Sequence, residues 1–254
     1  VYEITEGMAR FGNRLNTWRL NTDMLSQGYL LLLLNVMERL NGGMLPEDDG
    51  RDIEEIMAGV IANSGAREIM EVGGDAFLDG IKDIVEKVGN DVYGNSRAIS
   101  LVSVAIEHDK PASLQDPRIE YHASDIADHR EGQYDLIVSE GSFTIGGVSW
   151  FPREIRDNHN AEFAYVKERV QHMASLLRDN NSPLIICVKG YGKILLRKKD
   201  AEEIATIQKW GGEKHDGLRG EMLPALCILT KKAAEGAPDT QVPSSSESAS
   251  QSAA

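Results

Sequence analysis

Cysteine is scarce in this chain. Only Cys187 and Cys227 occur among 254 residues. Both lie inside apolar runs (184–188 and 225–229), which excludes a disulfide framework and leaves no cysteine spacing for a metal. Buried, unpaired thiols point to a reducing, cytoplasmic setting. The six histidines are scattered and form no metal-binding motif. Long apolar runs are also missing: residues 29–34 are far too few to span a bilayer. The opening residues carry no signal-peptide pattern. No lysine precedes Lys82, so arginine supplies the early positive charge, with Arg10, Arg14 and Arg19 as a candidate stripe. Internal repeats are absent.

What is present is acidic. The net charge is −13 and the pI about 4.9. Such a surface argues against a protein that coats nucleic acid electrostatically, although a local basic groove is compatible with it. The length suits one domain with an appended piece.

Residues 1–64 read as a helical extension. Leu25, Leu32, Val36 and Leu40 fall at helical spacing, and Asn41-Gly42-Gly43 stops the pattern. A second helix is expected over 52–62, with Ile53, Ile56, Met57 and Val60 on one face. From residue 65 to 233 strands and helices alternate. Strands are expected at 68–72, 98–106, 118–122, 134–138 and 183–188, and helices at 76–88, 161–177 and 198–210. Two closing strands, 212–215 and 223–230, have no helical pattern between them. The pattern predicts an α/β fold, a mainly parallel sheet with a C-terminal antiparallel hairpin. Residues 234–254, rich in serine and alanine, cannot build a core and read as a disordered tail.

The chemistry clusters at strand ends. The apolar run 69–72 closes on Gly73-Gly74, and a helix pattern starts near Asp75. A strand, a glycine turn and a helix start let a backbone pass close to a ligand beside free N–H groups. Acidic residues mark the successive strands: Glu71 inside the first, Glu107 after the second, Asp125 after the third and Glu140 after the fourth. Aligned along one edge of a parallel sheet, they suit a nucleoside site.

Glu71-Val-Gly-Gly resembles the first motif of class I S-adenosylmethionine-dependent methyltransferases. Ser124-Asp125-Ile126 resembles their adenine-holding segment, and Tyr134 to Glu140 their fourth motif. The resemblance covers about residues 66–232. It implies a three-layer Rossmann-like fold, S-adenosyl-L-methionine as cofactor, and Glu71, Gly73, Gly74, Asp75, Glu107, Asp125 and Ile126 as its binding residues. Asp75 and Phe77 stand where that family usually carries further glycines. A nicotinamide site is disfavoured, because its phosphate-binding glycine spacing is absent.

Pro183 to Gly192, with Lys189 near its end, is similar to the fifth strand of FtsJ-like RNA 2′-O-methyltransferases, including viral cap enzymes. This implies Lys189 as proton acceptor, with Glu140 and Glu221 beside it. A ribose hydroxyl is a poor nucleophile, and a lysine of depressed pKa can take its proton. The group's first lysine has no counterpart here, and Arg51 or Arg67 is the substitute. Lys193, Arg197, Lys198 and Lys199 form a basic cluster suited to RNA phosphates. Two alternatives stay open: a small-molecule or protein methyltransferase, and a methyltransferase-like interaction domain without activity.

Overall fold

A computed structural model describes residues 26–47, 51, 53–73, 77–78, 81–82, 84–85, 99–106, 117, 119–145, 148, 151–188 and 192–233. Helices α1 (Ser26–Leu40) and α2 (Ile53–Ser64) open this part of the chain. Strands β1 (Glu68–Val72), β2 (Ser100–Ala105), β3 (Ile119–Ala123), β4 (Leu136–Glu140) and β5 (Pro183–Cys187) follow, with α3 (His159–Ser175) between β4 and β5. Then come α4 (Lys198–Ile204), β6 (Thr206–Gly211), β7 (Lys214–Asp216), β8 (Glu221–Leu223) and β9 (Leu226–Thr230).

Seven strands form one sheet in the order β3-β2-β1-β4-β5-β9-β6. Strands β1 to β5 pair in parallel, while β9 runs antiparallel to both β5 and β6. This is a Rossmann-like sheet with one reversed strand, β9, inserted between β5 and edge strand β6, in keeping with the antiparallel close that the methyltransferase resemblance implies.

Alternation along each strand splits the core in two. Ile69, Leu101, Val138, Ile185 and Cys187 face the side covered by Leu32, Val36 and Met37 of α1 and Ile56, Met57 and Ile61 of α2. Met70, Val102, Ile137, Leu184 and Ile186 face Phe163, Val166, Val170 and Met173 of α3. The result is three layers, with strands buried on both faces as near-continuous apolar runs. Lys209 of β6 pins α1 by donating from Nζ to Asn35 Oδ1 at 2.9 Å and Glu38 Oε2 at 3.0 Å.

Three boundaries differ from those the pattern predicts. The stretch 198–210 is not one helix. It breaks at Ala205, whose backbone is extended (φ −150, ψ 172), and continues as edge strand β6. Thr206 and Gln208 are exposed on this strand, and a register shift lies between Ile207 and Lys209. Such mixed spacing on an edge strand imitates an amphipathic helix. The closing pair is displaced accordingly: β6 and β9 are the antiparallel partners, and β7 with β8 forms a separate ribbon inside their connection. Pro224 breaks the run 223–230, because proline cannot donate to a ladder. Finally, β4 starts two residues later than the pattern predicts, at Leu136. Tyr134 is engaged in an isolated bridge with Leu177, and Asp135 accepts from the N–H groups of Arg67 at 2.7 Å and Glu68 at 2.9 Å.

Among the described residues, no helix is long and apolar enough to cross a membrane, and no group of histidine, cysteine, aspartate and glutamate could hold a metal ion. The residues 1–25 with their arginines, Trp150 and the tail 234–254 lie outside the described part.

Candidate functional site

The strand order reverses between β1 and β4, so their C-terminal ends form the switch point where ligands bind in open α/β sheets. Gly73 sits there, exposed, with φ +73. That left-handed conformation favours glycine. A Cβ at this position would meet Ser142 Oγ at 1.9 Å and Ser142 Cβ at 2.7 Å. Ser142, just beyond β4, donates from Oγ to Val72 O at 2.9 Å, and the Gly73 N–H donates to Val104 O at 2.8 Å. The turn is therefore held from both neighbouring strands.

Glu71 is fully buried. Its Oε1 accepts from the Phe77 N–H at 3.2 Å and its Oε2 from the Leu78 N–H at 3.3 Å. These are donors of the helical segment that follows the turn. A carboxylate at a helix start satisfies orphan N–H groups and complements the dipole. Glu71 thus anchors the far side of the glycine turn.

Glu140 is the last residue of β4 and is 6 % exposed. Glu71 lies opposite Val138 in register, so Glu71 and Glu140 share one face of the sheet on adjacent strands. Glu140 also pairs in register with Cys187. Burial pushes the Cys187 thiol up, and the Glu140 charge adds to this. Both cysteines are buried and free, as the sequence predicts.

Glu221 is not in that row. It stands on β8 opposite Asp216, in the ribbon outside the sheet. Gly74, Asp75, Glu107 and Lys189 lie outside the described residues. Within the basic cluster, Lys193 Nζ donates to His215 O at 2.8 Å and lies 3.9 Å from Asp216 Oδ2. Arg197 pairs with Asp200 and stacks over Phe163. Lys198 and Lys199 are exposed.

The turn after β3 is tightly built. Asp125 caps the 3-10 turn Ile126–Asp128, accepting at Oδ1 from the Ala127 N–H at 3.0 Å. Its Oδ2 accepts from Tyr165 OH at 3.1 Å and from Arg169 Nε at 3.1 Å and Nη2 at 2.5 Å. Arg169 also stacks on Tyr165, with Cζ 3.2 Å from the ring centroid. Burial alone would raise the Asp125 pKa. Hydrogen bonds from Arg169, the Ala127 N–H and Tyr165, with the Arg169 charge, together outweigh it and hold the carboxyl below its usual range. Burial pushes Tyr165 up to about 12. Ile126 itself is buried. Sequence reasoning finds Asp125 but not its partners. The i, i+4 spacing puts Tyr165 and Arg169 on one face of α3, but no local pattern ties that face to Asp125.

Beside this turn, His129 Nε2 is 2.9 Å from Tyr134 OH, and the His122 ring packs edge-on at 4.9 Å. His172 Nε2 donates to His129 O at 2.6 Å. Burial, then the charge of His122, lowers the His129 pKa; that of His172 adds to this and Glu131 opposes it. With a depressed folded pKa, the unfolded chain binds the proton more readily. The contribution is therefore complete above about pH 6.5 and lost as pH falls toward the folded value. Urea unfolding at pH 7, 6 and 5 is expected to show falling stability, and His129→Gln is expected to flatten that slope. An unchanged slope in the variant would contradict this assignment.

The ribbon is locked by buried charge. Glu162 Oε2 accepts from Arg219 Nη2 at 2.8 Å and Nε at 3.1 Å. Arg219 Nη1 reaches Asp216 Oδ2 at 3.3 Å. Nothing in the sequence pattern announced this triad.

No family model and no curated protein matches the sequence. Among solved structures the chain is similar to SAM-bound CalS10, an amino pentose methyltransferase from Micromonospora echinaspora, at 12 % identity over 73 % of this chain and 56 % of that one (TM-score 0.33). It is also similar to ribosomal protein L11 methylase from Lactobacillus delbrueckii subsp. bulgaricus, at 12 % identity over 72 % and 81 % (TM-score 0.36). A third is DesVI of Streptomyces venezuelae, at 10 % identity over 84 % and 100 % (TM-score 0.38). The matched part spans little more than half of CalS10. Likenesses this distant carry no argument about activity, and the fold rests on the strand order itself.

Proposed function

We propose that the chain is an S-adenosylmethionine-dependent methyltransferase acting on an RNA ribose 2′-hydroxyl, with a cap-proximal ribose as the narrower form. One observation carries the reading: an exposed glycine turn, anchored by buried Glu71, opens at the switch point of the sheet beside Glu140. Gly73, at positive φ at the switch point, supports the cofactor reading. Gly73, Gly74 and Asp75 would cradle the cofactor, Glu107 would accept the ribose hydroxyls, and the Asp125–Ile126 segment would hold the base. When bound, the cofactor supplies an electrophilic methyl group. Lys189, two residues after β5 in sequence, would take the proton from the attacking hydroxyl, with Glu140 orienting its amine; Glu221, on the ribbon outside the sheet, is not in that row. Exposed Lys198 and Lys199 are the cations left for phosphate contacts.

The test is methyl transfer from labelled S-adenosylmethionine to capped and uncapped RNA. Lys189→Ala is expected to lose about a hundredfold or more in rate with cofactor affinity unchanged. Full activity of that variant would remove the lysine from the mechanism. Transfer to other acceptors with none to RNA would move the substrate to a small molecule or protein.

A second reading, an interaction domain without activity, draws on Ser142. Its side chain fills the space over Gly73, which accounts for that glycine without a ligand.

A further inference from the structure

We propose that the β7–β8 ribbon is a platform on which an unpaired base of the RNA strand rests, through His215, Leu218 and Met222. The inference rests on the RNA reading above and names the part of the molecule that holds the strand.

The ribbon stands at the ligand edge of the sheet. Strand β9 runs antiparallel to β5, and its first residue, Leu226, lies opposite Cys187, the last of β5. Just ahead of it, Ala225 O accepts from the Val188 N–H at 3.0 Å and Pro224 O from the Ile194 N–H at 2.8 Å. Strand β8 therefore leads into the carboxyl end of β5, on the edge where ligands bind in such sheets.

Alternation gives the ribbon two faces. Leu223 and Asp216 are buried on the inner one. His215 and Met222 pair in register on the outer one, and both are exposed. At the tip, Arg219 turns inward to Glu162, while its neighbour Leu218 is 81 % exposed. Asp216 Oδ1 fixes this tip, accepting from the Leu218 N–H at 3.0 Å and the Arg219 N–H at 3.3 Å. A two-stranded ribbon this short is not stable alone. Here Glu162, Arg219, Asp216 and Lys193 hold it in place, with apolar side chains left in solvent. Apolar groups kept exposed on a fixed, projecting element mark a contact surface.

Size and charge choose the occupant. His215, Leu218 and Met222 together fall far short of the ~800 Å² per partner that a stable protein interface buries. They match the face of a base, which stacks on such a surface whatever its identity. Cations stand beside them. Arg197 stacks over Phe163 and Arg219 binds Glu162, so the start of α4 and the ribbon share one end of α3. Lys198 and Lys199 are exposed there, placed for the phosphates of the strand. Glu213, the exposed carboxylate ahead of β7, is turned to Trp210 Nε1 at 3.0 Å.

The test is fluorescence anisotropy of the full chain, without cofactor, on a short labelled single-stranded RNA and on its duplex, from about 50 to about 200 mM salt. Wild type is expected to bind the single strand at least about fivefold more tightly than the duplex, whose bases are stacked inside. Leu218→Ser combined with Met222→Ser is expected to weaken single-strand binding about tenfold, and His215→Ala about threefold, with the slope of affinity against salt unchanged. Lys198→Ala combined with Lys199→Ala is expected to flatten that slope by about 1.4, at about 0.7 for each phosphate contact of a single strand. Met44→Ser removes a methionine that is 69 % exposed elsewhere and is expected to change nothing. Circular dichroism confirms folding of each variant.

The inference is overturned if wild type and the Leu218–Met222 double variant bind the single strand alike, a result that leaves the RNA reading standing. Equal affinity of wild type for strand and duplex also overturns it. So does a double variant that keeps its RNA affinity but turns a dimer into a monomer in sedimentation, which makes the face an interface between copies. If wild type binds neither RNA, the RNA reading falls and the platform with it.

Discussion

Arg219→Ala is expected to destabilise the protein by about 3–5 kcal/mol, the range for breaking one side of a buried ion pair. Arg219 is 7 % exposed at its side chain and its partner Glu162 only 1 %. Removing the guanidinium leaves the Glu162 carboxylate without its counter-ion, and takes one of two cations from Asp216, which keeps Lys193. The Asp216 pKa is lowered: burial opposes this, but N–H donors of Leu218 and Arg219 and the charges of Lys193 and Arg219 outweigh it. The double variant Glu162→Gln with Arg219→Met removes both buried charges and is expected to regain most of the loss. Urea unfolding midpoints measure all three. A loss below about 1 kcal/mol for the single variant, as for a surface pair, would mean that water reaches this triad in solution.

Glu71→Ala is expected to have the second largest effect, on stability and on binding together. Two N–H groups lose a buried acceptor, at about 1–3 kcal/mol each. The glycine turn also loses its anchor on the helix side. S-adenosylhomocysteine binding is expected to disappear, while Glu71→Gln keeps an amide oxygen for one donor and retains weakened binding. If Glu71→Ala keeps the wild-type urea midpoint and binds the ligand normally, the carboxylate does not hold the turn.

These residues show what the sequence makes legible. Strand β1, its glycine turn and Glu71 stand out because an apolar run of strand length ends on two glycines ahead of a helix pattern. The parallel sheet follows from alternation of elements, and the reversed strand from the missing helix near the end of the chain. Edge strand β6 was hidden because its exposed and half-buried residues follow helical spacing as readily as strand spacing. Glu140 reads as a loop residue after β4, yet it is the last strand residue, because Tyr134 and Asp135 are used in contacts at the other end. The partners of Asp125 and of Arg219 come from α3, distant in sequence, and no local pattern encodes such pairs. Thus a helix can be expected over 161–177 without any sign that Glu162, Tyr165 and Arg169 brace two separate parts of the molecule.

The chemistry divides in the same way. The sequence points to a basic cluster of four residues, and the structure uses Lys193 and Arg197 for internal pairs. Only packing distinguishes a cation that holds the fold from one that remains for a ligand.

The central claim is that the glycine turn at the switch point binds an adenosyl cofactor. Calorimetric titration of the purified chain with S-adenosylmethionine and S-adenosylhomocysteine tests it most directly. The account predicts micromolar binding of both. No binding up to millimolar ligand, with the protein folded by circular dichroism, would contradict it and leave the Ser142-covered turn as part of an interaction domain.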